Sequence, residues 1–235
     1  MRKQADLLKR RPWRTLIVPD ATRADMAGLV ERGISTVRSL QCPTWKWCKE
    51  FWERFDFPQV WLTANPEPSL TWRKVGFPDF VEMRGLWRHY WEEIGDPPLG
   101  TVPPESVNAA VLDYVEEHGQ PDRMVVFYLQ PHAPYIAEPR LPVCAGNIAQ
   151  GPTGKVGWAI ADALAAGKFT WKELRASYLA NLRMVWAYAE RLAQALDGLS
   201  VITSDHGESL GECGEYGHAG AHWNGLRWVP WKEVV

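Results

Sequence analysis

The feature that most constrains this chain is a recurring unit: a short, unbroken apolar run that stops at a polar side chain, followed by a segment of helical character. Residues 16–18 run towards Asp20, 60–63 towards Asn65, 125–129 towards His132, and 201–203 towards Asp205 and His206. Unbroken apolar runs of this length fit strands buried on both faces, as in parallel sheets. Their alternation with helices predicts an α/β fold, a three-layer sandwich with a mainly parallel central sheet and helices on both faces. Such sheets bind ligands at the carboxyl ends of their strands. The four polar stops therefore share one rim.

Helices are predicted over 24–32, closed by Gly33, and over 44–55, 105–118, 158–166 and 170–197. The last carries Leu174, Tyr178, Leu182, Val185, Ala189, Leu192 and Leu196 in one apolar stripe. Strands are expected at 15–18, 59–63, 123–129 and 199–203, with another extended piece within 34–40. Residues 66–103, rich in Pro and Trp, read as an irregular insertion with one helix over 79–94, and 139–156 read as a loop. The 235 residues, 46% of them hydrophobic, suffice for a single domain over 1–235 with a full core.

Composition excludes some partners. A formal net charge of -2 with mixed signs offers no patch for nucleic acid or a membrane surface. The apolar run after the basic amino terminus is too short for a signal peptide, and no stretch is long enough for a membrane span. Cys42, Cys48, Cys144 and Cys213 fall in no paired spacing, so a reducing, cytoplasmic setting is expected. Fourteen tryptophans are unusually many. Trp45, Trp47, Trp52 and Trp61 either pack the core or form an aromatic wall beside a ligand.

Chemistry concentrates at Asp205-His206, where a carboxylate oxygen and an imidazole nitrogen, both suited to Zn²⁺ or Mn²⁺, stand side by side. Gly207 lets the backbone turn tightly, and His218 offers a further imidazole downstream. The plain alternative is a strand-end turn in which His206 only hydrogen-bonds locally.

Four segments together resemble the alkaline phosphatase superfamily, in its sulfatase-like branch of arylsulfatases, phosphodiesterases and phosphoethanolamine transferases. Ile17-Val-Pro-Asp-Ala-Thr-Arg-Ala-Asp25 is similar to the opening strand with its metal-binding aspartate. Ser204-Asp-His-Gly-Glu208 through Gly217-His218 is similar to the closing metal motif. Gln130-Pro-His-Ala-Pro-Tyr135 is similar to the segment that sets a histidine on the substrate's anionic group, and Ser39-Leu-Gln-Cys-Pro-Thr44 stands in the nucleophile's place. The chain looks like a minimal version of that family, with short loops.

The resemblance implies that Asp20, Thr44, Asp205 and His206 hold one divalent cation, Zn or Mn in preference to Mg. His132 and His218 would then touch substrate oxygens or complete a second metal site, which in two-metal enzymes lies roughly 3.5–4 Å from the first. The further ligands for a second ion would come from His218 and His222 with an unassigned carboxylate. Glu208 would orient His206 or a metal-bound water, and Arg23 would bind a substrate oxyanion or pair with a helix neighbour. Plainer roles stand beside these. Asp20 and Thr44 could each cap a helix, although a helix amino terminus also welcomes an anion. His222 could be a flanking surface residue, and Thr22 a helix-entry residue.

Cys42 is a rival nucleophile, because sulfatases convert a Cys or Ser within Cys-x-Pro-x-Arg to an aldehyde hydrate. Here Cys42-Pro-Thr-Trp-Lys46 puts proline one position early and has no arginine. The expected activity is hydrolysis of a small phosphate mono- or diester by metal-activated Thr44 through a phosphothreonine. A sulfatase acting on a sulfated substrate, a phosphoryl or phosphoethanolamine transferase, and a non-catalytic binding relative are the alternatives.

Overall fold

The computed structural model describes residues 2–76, 78–89, 100–141, 155–218 and 222–235. The chain begins with α1 (Gln4–Arg10), β1 (Thr15–Asp20), α2 (Ala24–Val30), β2 (Ser35–Arg38) and α3 (Thr44–Arg54). It continues through β3 (Gln59–Thr63), α4 (Pro66–Lys74), β4 (Val81–Gly85), α5 (Pro104–His118), β5 (Met124–Pro131) and α6 (Lys155–Ala165). The closing elements are α7 (Trp171–Ala195), β6 (Ser200–Thr203), the short pair β7 (Ser209–Leu210) and β8 (Tyr216–Gly217), and β9 (Trp228–Val234).

The main sheet has seven strands in the order β2-β9-β6-β1-β5-β3-β4. β1 pairs in parallel with β5 and β6, and β3 pairs in parallel with β5 and β4. β9 runs antiparallel between β2 and β6. The central strands β1, β5 and β6 are buried at every residue, as their unbroken apolar character predicts.

Side chains alternate along each strand and divide the core in two. Leu16 and Val18 pack with Trp47, Phe51 and Trp61 on the face covered by α1 and α3. Ile17 and Val126 pack with Tyr178, Leu182 and Val185 on the face covered by α2, α5 and α7. Trp61 is fully buried, with its ring 5.2 to 6.5 Å from those of Trp47, Phe51, Trp52 and Phe127. Trp47, Trp52 and Trp61 are therefore core residues, whereas Trp45 is 45% exposed. The long helix α7 starts at a capping box in which Thr170 and Glu173 satisfy each other's backbone, and its predicted apolar stripe is buried.

The segment read as an irregular insertion is instead regular on both sides of residue 77. Asn65 caps α4 by accepting from the Glu67 amide (2.8 Å), with Pro66 in the first turn. Residues 81–85, read as part of a helix, form an edge strand whose burial alternates, a period-two signal hidden among Pro and Trp neighbours. The rest of that predicted helix, from 90 on, lies outside the described residues, as do 142–154 of the predicted loop.

α1, the short pair β7 and β8, and β9 had no predicted counterpart. Pro230 in the middle of β9 disguises it as a non-strand. α2 ends at Val30, short of the predicted 32, because Glu31 is already extended. Replacing Trp61 by Ala should destabilise the fold by about 3–5 kcal/mol, read as a lower urea midpoint at unchanged slope.

Candidate active site

The carboxyl end of β1 is shaped by a register shift between Pro19 and Asp20, which re-aims the aspartate at the rim of the sheet. Ala21 follows with φ +58, a left-handed conformation that an alanine adopts only when its surroundings hold it. They do so from three sides. Tyr178 of α7 donates its hydroxyl to the Ala21 carbonyl (2.8 Å) and accepts from the Arg23 amide (3.0 Å). The Ala21 amide donates to Asp205 Oδ1 (3.1 Å). Ser204 Oγ accepts from the Thr22 amide (2.8 Å) and donates to the Pro19 carbonyl (2.7 Å), and Thr22 Oγ1 also bonds Pro19 (3.0 Å). The ends of β1 and β6 are thus joined as one unit.

Thr44, Asp20, Asp205 and His206 converge there, all buried. Thr44 Oγ1 donates to Asp205 Oδ2 (2.7 Å) and lies 3.1 Å from His206 Nε2. His206 Nε2 is 3.2 Å from Asp205 Oδ2 and 3.6 Å from Asp20 Oδ1. The residue capping α3 is Pro43, so the Thr44 side chain is not engaged as a helix cap and faces the carboxylates. Asn65 ties the next strand to this group by donating to Asp20 Oδ2 (2.8 Å). Nor does Asp20 cap the following helix, whose capping position is Arg23.

Electrostatics here are set by burial. Burial first, then the charges of Asp205 and Glu208, hold the Asp20 carboxyl well above its ordinary range. Burial lowers His206 to about 4 despite the opposing pull of Asp205. The neutral ring donates Nδ1–H to the Gly207 carbonyl (2.8 Å), which leaves the Nε2 lone pair facing Thr44 and the aspartates. Gly207 packs closely, and a Cβ there would lie 3.3 Å from Arg23 Cγ and 3.4 Å from the Gly225 carbonyl.

A second cluster adjoins the first. His218 donates from Nδ1 to Glu208 Oε1 (3.2 Å), and His132 Nε2 lies 3.8 Å from the same oxygen. His218 also packs 4.2 Å from the His206 ring and 5.4 Å from that of His132. Burial pushes the Glu208 carboxyl up, but His132 and His218 outweigh it and hold it below its ordinary value. Glu208, expected to orient His206 or a metal-bound water, lies with His132 and His218 and makes no hydrogen bond to His206 among the described residues. His222 lies elsewhere, 84% exposed and paired with Glu215 (2.7 Å).

Arg23 is committed to its own neighbours. It grips Asp25 (2.7 Å) and Glu212 (2.8 Å) and packs over the Trp223 ring at 4.1 Å. Cys42 is pushed up to about 12 by burial and by Asp205 and Asp20, so its thiol stays protonated at neutral pH. Sequence reasoning missed Asn181 of α7. Its Oδ1 accepts from the Ile136 and Ala137 amides (2.9 and 3.0 Å), and its Nδ2 donates to the Pro134 carbonyl (3.0 Å). Those bonds clamp the loop that carries His132, whose Nδ1–H is turned to the Ala133 carbonyl (2.7 Å). Three residues from Tyr178 on a helix, Asn181 shares its face, and that spacing was the available signal.

The sulfatase family model matches residues 44–227, from the threonine at the head of α3 to the approach of β9. The chain belongs to the sulfatase family. Solved structures share this α/β sandwich, within the alkaline phosphatase superfamily. The soluble domain of lipooligosaccharide phosphoethanolamine transferase A from Neisseria meningitidis superposes with a TM-score of 0.58 at 20% identity, over 92% of this chain and 74% of that one. Against the integral membrane protein lipooligosaccharide phosphoethanolamine transferase A from the same organism the TM-score is 0.62 at 19% identity over 94% of this chain, with 47% of that chain covered.

A phosphonate monoester hydrolase of Agrobacterium radiobacter gives 0.56 at 16% identity, over 95% and 68% of the two chains. The C-terminal periplasmic domain of a phosphoethanolamine transferase from Escherichia coli, in complex with Zn, gives 0.51 at 14% over 98% and 74%. Likenesses at this level of identity speak to the fold. No curated protein matches the chain in sequence.

The sulfatase-family site fits a divalent cation on its own chemistry. Asp20 Oδ1 and Glu208 Oε2 are buried without a hydrogen-bond partner, which is costly for carboxylates unless something else satisfies them. Ligand atoms of Asp20, Asp205 and His206 lie within 4.8 Å of one another, as do those of His132, Glu208 and His218. Among the described residues no Lys or Arg pairs with Asp20 or Asp205. Oxygen and imidazole donors suit Zn²⁺ or Mn²⁺, and Mg²⁺ less well.

Without a cation, the raised Asp20 pKa means that stability falls as pH rises above the ordinary value of 3.8, because the folded state holds that proton more tightly than the unfolded chain. Asp20→Asn should therefore raise the melting temperature of chelator-treated protein at neutral pH by on the order of 1 kcal/mol, about 2–4 °C in a domain of this size. The same variant should lose most of the melting-temperature rise that Zn²⁺ gives the parent. A variant that gains nothing without metal would mean that the two carboxylates do not repel.

Proposed function

We propose that this chain is a metal-dependent hydrolase of phosphate esters, mono- or diesters, with Thr44 as nucleophile. The observation that carries the reading is the convergence of the buried Thr44 hydroxyl with Asp205 Oδ2 (2.7 Å) and His206 Nε2 (3.1 Å) beside Asp20. Asp20, Thr44, Asp205 and His206 would hold one divalent ion, and His132, Glu208 and His218 a second. When bound, such a cation lowers the pKa of a coordinated hydroxyl and neutralises charge on the transferring group.

The chain's own residues account for the rest. Asp205 Oδ2 already accepts the Thr44 proton in a hydrogen bond, and Asn65 and the Ala21 amide hold the two aspartates in place. Attack by Thr44 Oγ1 forms an oxygen–phosphorus bond and breaks the ester bond, releasing an alcohol that takes up a proton. Water then cleaves the phosphothreonine, freeing inorganic phosphate or a monoester and restoring the hydroxyl. Clamped by Asn181 through its loop, His132 would meet the anionic oxygens of the substrate together with His218 where only the first ion is bound. Water serves as the acceptor; an alcohol acceptor would make the same chemistry a transferase. Sulfate-ester cleavage through an oxidised cysteine is disfavoured by the missing arginine and by the proline that follows Cys42 one position early.

The test is a panel of nitrophenyl phosphate, bis-nitrophenyl phosphate and nitrophenyl sulfate before and after chelation. Chelator-sensitive cleavage of a phosphate ester is expected, with no sulfate-ester cleavage. Thr44→Ala should lower kcat by at least about 10³-fold while fold and metal content persist. Turnover equal to the parent in that variant would remove the mechanism.

A further inference from the structure

Gln4 is the first residue of α1 and is fully buried, although it precedes the stretch that the family model matches. A glutamine amide has two N–H donors and two acceptor lone pairs on its oxygen, and here all four are used. Nε2 donates to Thr203 Oγ1 (2.9 Å) and to the Ser204 carbonyl (2.8 Å). Oε1 accepts from the Leu40 amide (3.1 Å) and from Trp47 Nε1 (2.9 Å).

The identity of these partners gives the contact its meaning. Thr203 and Ser204 immediately precede Asp205 and His206, the ligand pair at the end of β6. Leu40 and Trp47 bracket Thr44, four residues before it and three after. Neither side is otherwise idle. Thr203 Oγ1 donates its own hydrogen bond to the Pro230 carbonyl (2.7 Å), and Ser204 Oγ joins the end of β1. Arg227 adds bonds to the Ser39 and Leu40 carbonyls on the nucleophile's side. A buried, fully satisfied amide of this kind accepts few other positions, because any displacement strands polar groups away from water.

We infer that Gln4 is a positioning residue for the reaction, setting the spacing between the Thr44 hydroxyl and the Asp205-His206 ligand pair. It does not touch substrate. The inference rests on the reading of Thr44 as nucleophile at a metal site. It assigns the amino-terminal helix α1, through one amide, to the catalytic scaffold. Displacements of an ångström in such a spacing cost about 10²-fold in rate, and loss of a residue that orients metal ligands costs about 10–100-fold in metal affinity.

Three variants test this. Gln4→Met fills the same space without polar atoms. Gln4→Glu keeps an acceptor for Leu40 and Trp47 but sets a second acceptor against the Ser204 carbonyl. Trp47→Phe removes one of the four bonds and leaves Gln4 in place. Zn²⁺ affinity is measured by competition with a chromophoric chelator. kcat and KM for bis-nitrophenyl phosphate are measured per metal-loaded molecule, and melting temperature is recorded alongside.

In both Gln4 variants kcat should fall about 10–100-fold with KM within about threefold, and Zn²⁺ affinity should fall about tenfold or more. Trp47→Phe should show a smaller loss in the same direction and add little in the Gln4→Met background, as expected for two residues acting through one bond. Parental kcat and Zn²⁺ affinity in Gln4→Met, with only the melting temperature lowered, would overturn the inference and leave Gln4 a packing tie. Should Gln4→Met fail to fold, unchanged kcat and affinity in Trp47→Phe would overturn it equally. Thr44→Ala separates the two levels. Parental turnover in Thr44→Ala removes the nucleophile reading whatever Gln4 does, and intact Gln4 variants beside an inactive Thr44→Ala remove only the role of Gln4.

Discussion

Two aspartates with almost no exposure, on neighbouring parallel strands, face the same point in space. Everything distinctive about this molecule follows from keeping Asp20 and Asp205 there. In water the pair would cost little. Inside the fold each has lost its hydration, and their mutual repulsion adds to that loss, which is why Asp20 holds its proton far above the ordinary carboxylate range. Among the described residues no Lys or Arg pairs with either aspartate to relieve this. The buried Arg23 guanidinium is spent on Asp25 and Glu212. An orphan carboxylate oxygen and a neutral imidazole with its lone pair turned inward are donors that fit a dication.

Holding such a group together requires neutral hydrogen bonds in place of ion pairs, and the structure draws them from four directions. Asn65 comes from the head of α4, Ser204 and the Ala21 amide from the strand ends, Tyr178 from α7 and Gln4 from α1. Helix α7 acts at two places at once. Tyr178 fixes the strained turn after Asp20 while Asn181, on the same face, fixes the loop after β5 that bears His132. The spacing of the two clusters is thus tied to the rigidity of one long helix packed on the sheet. The adjoining cluster differs in character, because Glu208 finds partial compensation in His132 and His218 and remains ionised.

Much of the site was legible because its signals are local. Asp20, Thr44, His132, Asp205, His206 and His218 stand at strand or helix ends that an apolar run or a proline announces, and residue chemistry alone suggests a metal. The grouping was less legible. Glu208, two residues beyond His206, reads as a group that orients that ring or a metal-bound water, and the chain carries it to His132 and His218. His222 was plausible by proximity in sequence and lies exposed against Glu215. The edge strand β4 was read as helix because Pro- and Trp-rich surroundings mask a five-residue alternation.

By itself the sequence determined the class of fold and the chemical identity of the rim. Strand burial is written in unbroken apolar runs, and the polar stops are where a parallel sheet opens to ligand. Only the tertiary structure decided which of these groups act together, and which bland residues serve them. Gln4 reaches Thr203 across 199 positions of chain, and Asn181 reaches Ile136 across 45. No periodicity encodes such contacts. They exist because packing two helices on opposite faces of one sheet brings their amides to the ends of its central strands.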